Sequence, residues 1–156
     1  MKLTLIQRHR RENLKKCSLR GLESREDMRF FTYPKDPLPD LNGYCQLAID
    51  GEELSIDDRH LGLFLIDGTW KYAKKMEGQA PSLIKRRLPS FFKTAYPRKQ
   101  PDCEEPESGL ASVEALYIAY QILGYDTKGL LDQYYWARLF LEKNAPHFDR
   151  INTWKN

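Results

Sequence analysis

The residues best placed to do chemistry are Asp67 and Trp70, in the string Asp67-Gly68-Thr69-Trp70 that follows the apolar run Leu63-Phe64-Leu65-Ile66. A short apolar run ending in turn residues reads as a buried strand, and one covered on both faces belongs to a parallel sheet. Thr69 stands where the N-cap of a following helix would be, over Lys71-Tyr72-Ala73-Lys74-Lys75-Met76. Ligands of open α/β sheets bind outside the carboxyl ends of the strands. Asp67 and Trp70 are thereby set at the mouth of a crevice, a carboxylate beside a broad apolar ring. The same spacing fits an acid capping a helix with a core tryptophan, and on spacing alone that plainer arrangement is favoured.

Other reactive side chains add little. His9, His60 and His147 are far apart, lack metal-ligand spacing and read as surface or structural groups. Cys17, Cys45 and Cys103 form an odd, scattered set without a CxxC pair, so neither a zinc site nor a disulfide framework is indicated. Cys17 follows Lys15-Lys16, a setting that lowers a thiol pKa, yet no histidine partner marks it as a nucleophile. Dinucleotide, P-loop and nucleophile-elbow motifs are missing. Trp136 sits in an aromatic-rich stretch and reads as core.

The elements that must position these groups fit one α/β domain. The 156 residues suffice for a single core, and 41% hydrophobic with 30% charged residues is ordinary for a soluble globular chain. The longest apolar run is too short to cross a membrane and the first residues lack a signal-peptide core, so the cytoplasm is the expected compartment. Net charge is only +3, but the cations cluster: Arg8-His9-Arg10-Arg11, Lys15-Lys16, Lys71 with Lys74-Lys75, Lys85-Arg86-Arg87 and Arg98-Lys99. The acids gather elsewhere, in Glu52-Glu53, Asp57-Asp58 and residues 102–107. Such segregation makes one face positive, as in polyanion binders, although a merely solvated surface has the same composition.

Strands are expected over 2–7, 28–33 and 44–49, the last closed by Asp50-Gly51, with a projecting loop at 35–43. A helical turn capped by Ser55 covers 55–60. Beyond the central strand and its helix, 87–96 reads as a strand with an irregular approach and 97–109 as an acidic loop. Two helices follow: 111–123, with Ser112 as N-cap and Gly124 as its stop, and 127–144, ahead of a polar tail. None of this names a reaction.

The order of motifs does more. Lys15-Lys16-Cys17-Ser18, a strand ending at Pro34, Leu54-Ser55 and Ile66-Asp67-Gly68-Thr69-Trp70 resemble the aminocarboxypropyltransferases of small-subunit ribosomal RNA. The likeness continues through Arg87-Leu88-Pro89, the stretch Leu110-Ala111-Ser112-Val113-Glu114-Ala115-Leu116, and Tyr135-Trp136-Ala137-Arg138-Leu139-Phe140-Leu141-Glu142-Lys143-Asn144. It covers most of residues 13–144. Asp67-Gly68-Thr69-Trp70 also resembles the signature of the DTW-domain family, which places the same group on tRNA uridines. The chain departs from the pattern at Lys93–Gln100 and in the extra loop Lys35–Gly43.

The resemblance implies a SPOUT-like sheet flanked by helices, with a C-terminal trefoil knot and a small α+β N-terminal part. In residues, this means a basic, RNA-facing part at 1–60, a cofactor-binding part at 61–144 and a tail at 145–156. It implies S-adenosylmethionine as donor of a 3-amino-3-carboxypropyl group to a ring nitrogen of uridine or pseudouridine, with methylthioadenosine released. Small-subunit rRNA is the favoured acceptor, tRNA the alternative, and the protein is expected to be a monomer. Thr32, Pro34 and Ile66 match positions around the ribose, Phe92 and Thr94 the adenine slot, and Leu110, Ala111 and Ser112 a loop and helix start that hold the adenine and amino-acid ends. Free amides at that helix start would bind the carboxylate. Trp70 matches an aromatic that shields the sulfonium methyl, and a cation on an indole face gains about 0.5–2 kcal/mol. Asp67 is the candidate for taking the uridine proton, or for orienting substrate or cofactor. Arg8, Arg10, Arg11, Lys15, Lys16, Lys74, Lys75, Arg98 and Lys99 are the candidate RNA contacts. A SPOUT-type methyltransferase and a non-catalytic RNA-binding ribosome-assembly module remain the alternatives, because a fold does not fix a reaction.

Overall fold

Every residue of the first strand, β1 (Thr4–His9), is buried, which requires layers on both of its faces. In the computed structural model, which describes residues 2–97 and 109–154, those layers are helices. β2 (Met28–Tyr33), β3 (Tyr44–Glu53), β4 (Gly62–Asp67) and β5 (Ile84–Arg87) join β1 in a sheet of order β2-β1-β4-β3-β5. Every pairing is parallel, as the apolar run at 63–66 implies. α1 (Trp70–Gln79) packs on β1 and β4, while α2 (Ser112–Leu123) and α3 (Ala137–Thr153) pack together on the opposite face. No helix among the described residues is long and apolar enough to cross a membrane.

The larger core lies between the sheet and α2–α3. Ile6, Leu63 and Leu65 meet Leu116, Tyr120, Leu123 and Phe140 there, and each such large apolar side chain contributes about 1.5–3 kcal/mol. A smaller core around Leu5, Leu41 and Phe64 fills the α1 face. Strands from 1–60 and from 61–144 share the one sheet, with β4 seated between β1 and β3.

Several elements differ from expectation. β3 runs through Asp50-Gly51 instead of closing there, with a register shift between Leu47 and Glu52. Gly51 has φ +93°, and a Cβ on it would lie 2.4 Å from the Lys85 carbonyl oxygen, so only glycine fits the irregularity. The strand expected over 87–96 ends at Arg87, and residues 88–96 are irregular. Ala111, not Ser112, is the N-cap of α2. The helix expected from 127 begins at Ala137, because 127–137 is a chain of i→i+3 turns (Leu130 N to Thr127 O, Asp132 N to Gly129 O, Tyr134 N to Leu131 O) whose spacing mimics a helix. That same helix runs past Asn144 and through Pro146 to Thr153, so most of the expected tail is helical. The turn at 56–60 is capped by Ser55, as expected. Arg98, Lys99 and most of the acidic loop lie outside the described residues.

Candidate active site

Because the strands are parallel, β1, β2 and β4 all end at one edge, at His9, Tyr33 and Asp67. Register places Thr32, Arg8 and Asp67 in one row across the three strands, on the face that α2 covers. Neighbouring strands are about 4.8 Å apart, so Thr32 stands roughly 10 Å from Asp67. Asp67 is the centre of this row. It is 6% exposed and accepts from Ser112 Oγ at 2.7 Å, Cys17 Sγ at 3.3 Å and Arg8 Nε at 3.4 Å. Three segments distant in sequence thus converge on one carboxylate: the end of β1, the loop at 13–21 and the start of α2. Ser112 is available to Asp67 because Ala111 takes the capping position.

Arg8, expected to face RNA, is instead buried. Its guanidinium pairs with Asp67 and Glu23 and lies 4.6 Å over the Phe30 ring, since an unpaired cation at that depth would be costly. Cys17 also departs from expectation. Burial, and then the Asp67 charge, push its thiol up to about 12, outweighing the opposing Arg8 charge and the Leu19 amide, so it is a neutral S–H donor.

Glu12 had no signal in the sequence. Burial pushes its carboxyl above the ordinary value, the Asp67 charge adds to this, and the Thr69 amide and Arg8 oppose it. Its Oε2 is buried without a partner among the described residues, as is Oε1 of Gln7, which pairs in register with Ile66. Gln7 and Glu12 therefore leave acceptors unmatched near the edge. Thr69 occupies the N-cap of α1 without a side-chain cap bond. Trp70 is the first residue of α1; its side chain lies outside the described part of the structure.

The segment carrying Phe92 and Thr94 has no ladder to hold it, and side chains do so instead. Glu114, fully buried, accepts from Thr94 Oγ1 (2.6 Å), Ala95 N (2.9 Å), Ala111 N (2.8 Å) and Tyr134 OH (2.9 Å). Asn144 on α3 accepts from Lys93 N and donates to Lys93 O, both at 2.8 Å. Glu114 was legible as an acid in a first helical turn, but its reach to Thr94 and Tyr134 was not. Two amides expected to be free at the start of α2 are engaged: Ala111 N by Glu114, and Val113 N by Ser18 Oγ at 3.2 Å. On the other flank Thr32 and Asp36 exchange bonds across the cis Tyr33-Pro34 peptide, Thr32 N to Asp36 Oδ2 at 2.9 Å and Asp36 N to Thr32 O at 2.7 Å.

The cations divide into two groups. Arg10, Arg11 and Lys75 surround His9, whose ring stacks on Tyr72 at 4.0 Å; burial, then these charges, lower its pKa. Lys74 is exposed beside Lys75 on α1. Lys15 and Lys16 line a separate cleft of about 320 Å³ with Cys17, Arg20, Tyr96 and residues 133–136. Gly21 brings its two walls together: φ is +88°, and a Cβ would lie 2.6 Å from the Gln133 side chain.

No protein-family model and no curated protein sequence matches this chain. Among solved structures, the chain is similar to one described as the SAM-dependent rRNA:acp-transferase Tsr3 from Vulcanisaeta distributa. The TM-score is 0.73 at 22% identity, over 97% of this chain and 83% of that one. The likeness establishes the fold.

Proposed function

We propose that this chain is an RNA aminocarboxypropyltransferase: it moves the 3-amino-3-carboxypropyl group of S-adenosylmethionine to a ring nitrogen of uridine or pseudouridine and releases methylthioadenosine. The observation that carries the reading is the convergence of Arg8, Cys17 and Ser112 on Asp67 at the carboxyl edge of a parallel sheet. Cys17, Asp67 and Ser112 all belong to the motifs that resemble the rRNA aminocarboxypropyltransferases, and the similar solved structure is described as such an enzyme. Small-subunit rRNA is the favoured acceptor and tRNA the second. Action as a cytoplasmic monomer with a trefoil-knotted C-terminal half completes the reading.

The residues at the edge suit the donor. S-adenosylmethionine is a cation bearing N–H donors, and the edge offers the Asp67 carboxylate and a buried Glu12 oxygen that lacks a donor among the described residues. When bound, it supplies an electrophilic methylene carbon next to the sulfonium. Thr32 and Pro34, Ile66, Phe92 and Thr94, and Leu110 to Ser112 are the contacts assigned to it, with Trp70 shielding its methyl group. An ionised carboxylate has roughly four lone-pair sites. Three donors engage Asp67, so one acceptor direction is left for an incoming proton or ammonium. A uridine imide is a weak acid, and Asp67 takes its proton as the nitrogen attacks. The acceptor nitrogen must lie in line with that carbon, about 3–3.5 Å away.

Mass spectrometry of the protein incubated with S-adenosylmethionine and total RNA from a deletion strain tests this. Methylthioadenosine with an aminocarboxypropylated nucleoside is the expected result. S-adenosylhomocysteine with a methylated base would make the chain a methyltransferase. Salt-dependent RNA binding that ignores the cofactor and yields neither product would make it an assembly module.

A further inference from the structure

Tyr135 is 85% exposed, although its neighbour Tyr134 is buried on Glu114. The ring is held: Trp136 packs against it edge-to-face, at 4.7 Å between centroids and 80° between planes. It stands on the rim of the 320 Å³ cleft, opposite Lys15 and Lys16. Neither lysine forms an ion pair among the described residues. Arg20, by contrast, is engaged by its own loop, donating to the Lys15 carbonyl at 3.0 Å. Cys17 lines the cleft and its thiol donates to Asp67 at 3.3 Å, so one lining residue lies a single hydrogen bond from the candidate catalytic carboxylate.

An aromatic face next to cations that form no ion pair among the described residues is an arrangement that binds unpaired nucleotides: the ring stacks on a base and the lysines take its phosphates. We infer that this cleft seats an unpaired nucleotide of the acceptor RNA next to the one modified, its base stacked on Tyr135 and its phosphates on Lys15 and Lys16. Held there, the neighbour orients the reacting uridine toward Asp67. The inference rests on the proposed transfer to RNA and adds how the strand is held.

Fluorescence anisotropy of a short labelled oligouridylate measures binding, and calorimetry with S-adenosylmethionine is run on the same preparations. Tyr135→Ala is expected to weaken oligonucleotide binding about tenfold, and Tyr135→Phe to retain it. Lys15→Gln and Lys16→Gln should each flatten the salt dependence by about 0.7 in slope. Cofactor affinity should hold in all four variants. Unchanged binding by Tyr135→Ala would overturn the inference and reduce the cleft to a charged surface. Equal losses in Tyr135→Ala and Tyr135→Phe would overturn it too, by assigning the effect to the hydroxyl. Loss of the proposed transferase reading is separate: it appears as wild-type protein that binds no S-adenosylmethionine.

Discussion

Asp67 draws together three donors from distant segments: a buried guanidinium, a buried thiol and a serine hydroxyl. Asp67→Asn keeps the shape but loses the charge opposite Arg8 and places an amide N–H against a donor. Turnover should fall about a hundredfold or more, with a far smaller change in cofactor affinity. Stability should fall by about 1–3 kcal/mol, because Arg8 keeps only its pairing with Glu23 and a buried donor loses its acceptor. Activity assays, calorimetry and urea unfolding separate the three quantities. Cys17 offers a second check. With its thiol up at about 12, it should escape maleimide at neutral pH while the protein is folded and react once urea unfolds it, as peptide mass mapping would record. Asp67 was legible in the sequence because it ends an apolar run. Its partners were not, since Cys17 and Ser112 lie 50 and 45 residues away, and the charge of Lys15-Lys16 pointed to the wrong thiol chemistry.

At the scale of elements, regular structure was legible wherever local pattern decides it. The run at 63–66, Gly124 in its left-handed conformation and Ser55 at its cap all follow from neighbours in sequence. The stretch 92–96 was opaque because Glu114 and Asn144, from two different helices, decide its course. Likewise the polarity of residues 145–156 suggested a tail where α3 continues, the helix being secured by packing of Phe140, Phe148 and Ile151. Each buried donor stranded by a lost acceptor costs about 1–3 kcal/mol. Glu114→Gln sets an amide N–H against donors from Thr94, Ala95, Ala111 or Tyr134 and should lower the unfolding midpoint substantially. Asn144→Ala frees the Lys93 backbone and one bond to the Phe140 carbonyl, and is expected to weaken cofactor binding with a smaller stability loss, read by calorimetry and thermal unfolding.

For the molecule as a whole, His9 ties stability to pH. Its folded-state pKa lies below the ordinary 6.5, so the folded protein favours the neutral ring. The stabilisation is complete above 6.5 and is lost as pH falls through the lowered folded value. Urea midpoints should therefore drop between neutral and mildly acidic pH, and His9→Phe, which keeps an aromatic against Tyr72, should reduce that drop. The sheet order has a consequence of another kind, for how the chain comes to be made. β1 lies between β2 and β4, so its second edge stays open until residues 62–67 emerge, and Thr4 finds the Tyr120 hydroxyl only 116 residues later, at 2.7 Å. Contacts of such sequence separation slow folding. On a translating ribosome the first strand must wait, half-paired, until residue 120 has been made. Fragments ending before α2 should accordingly be taken up by chaperones or proteases and not accumulate as folded intermediates.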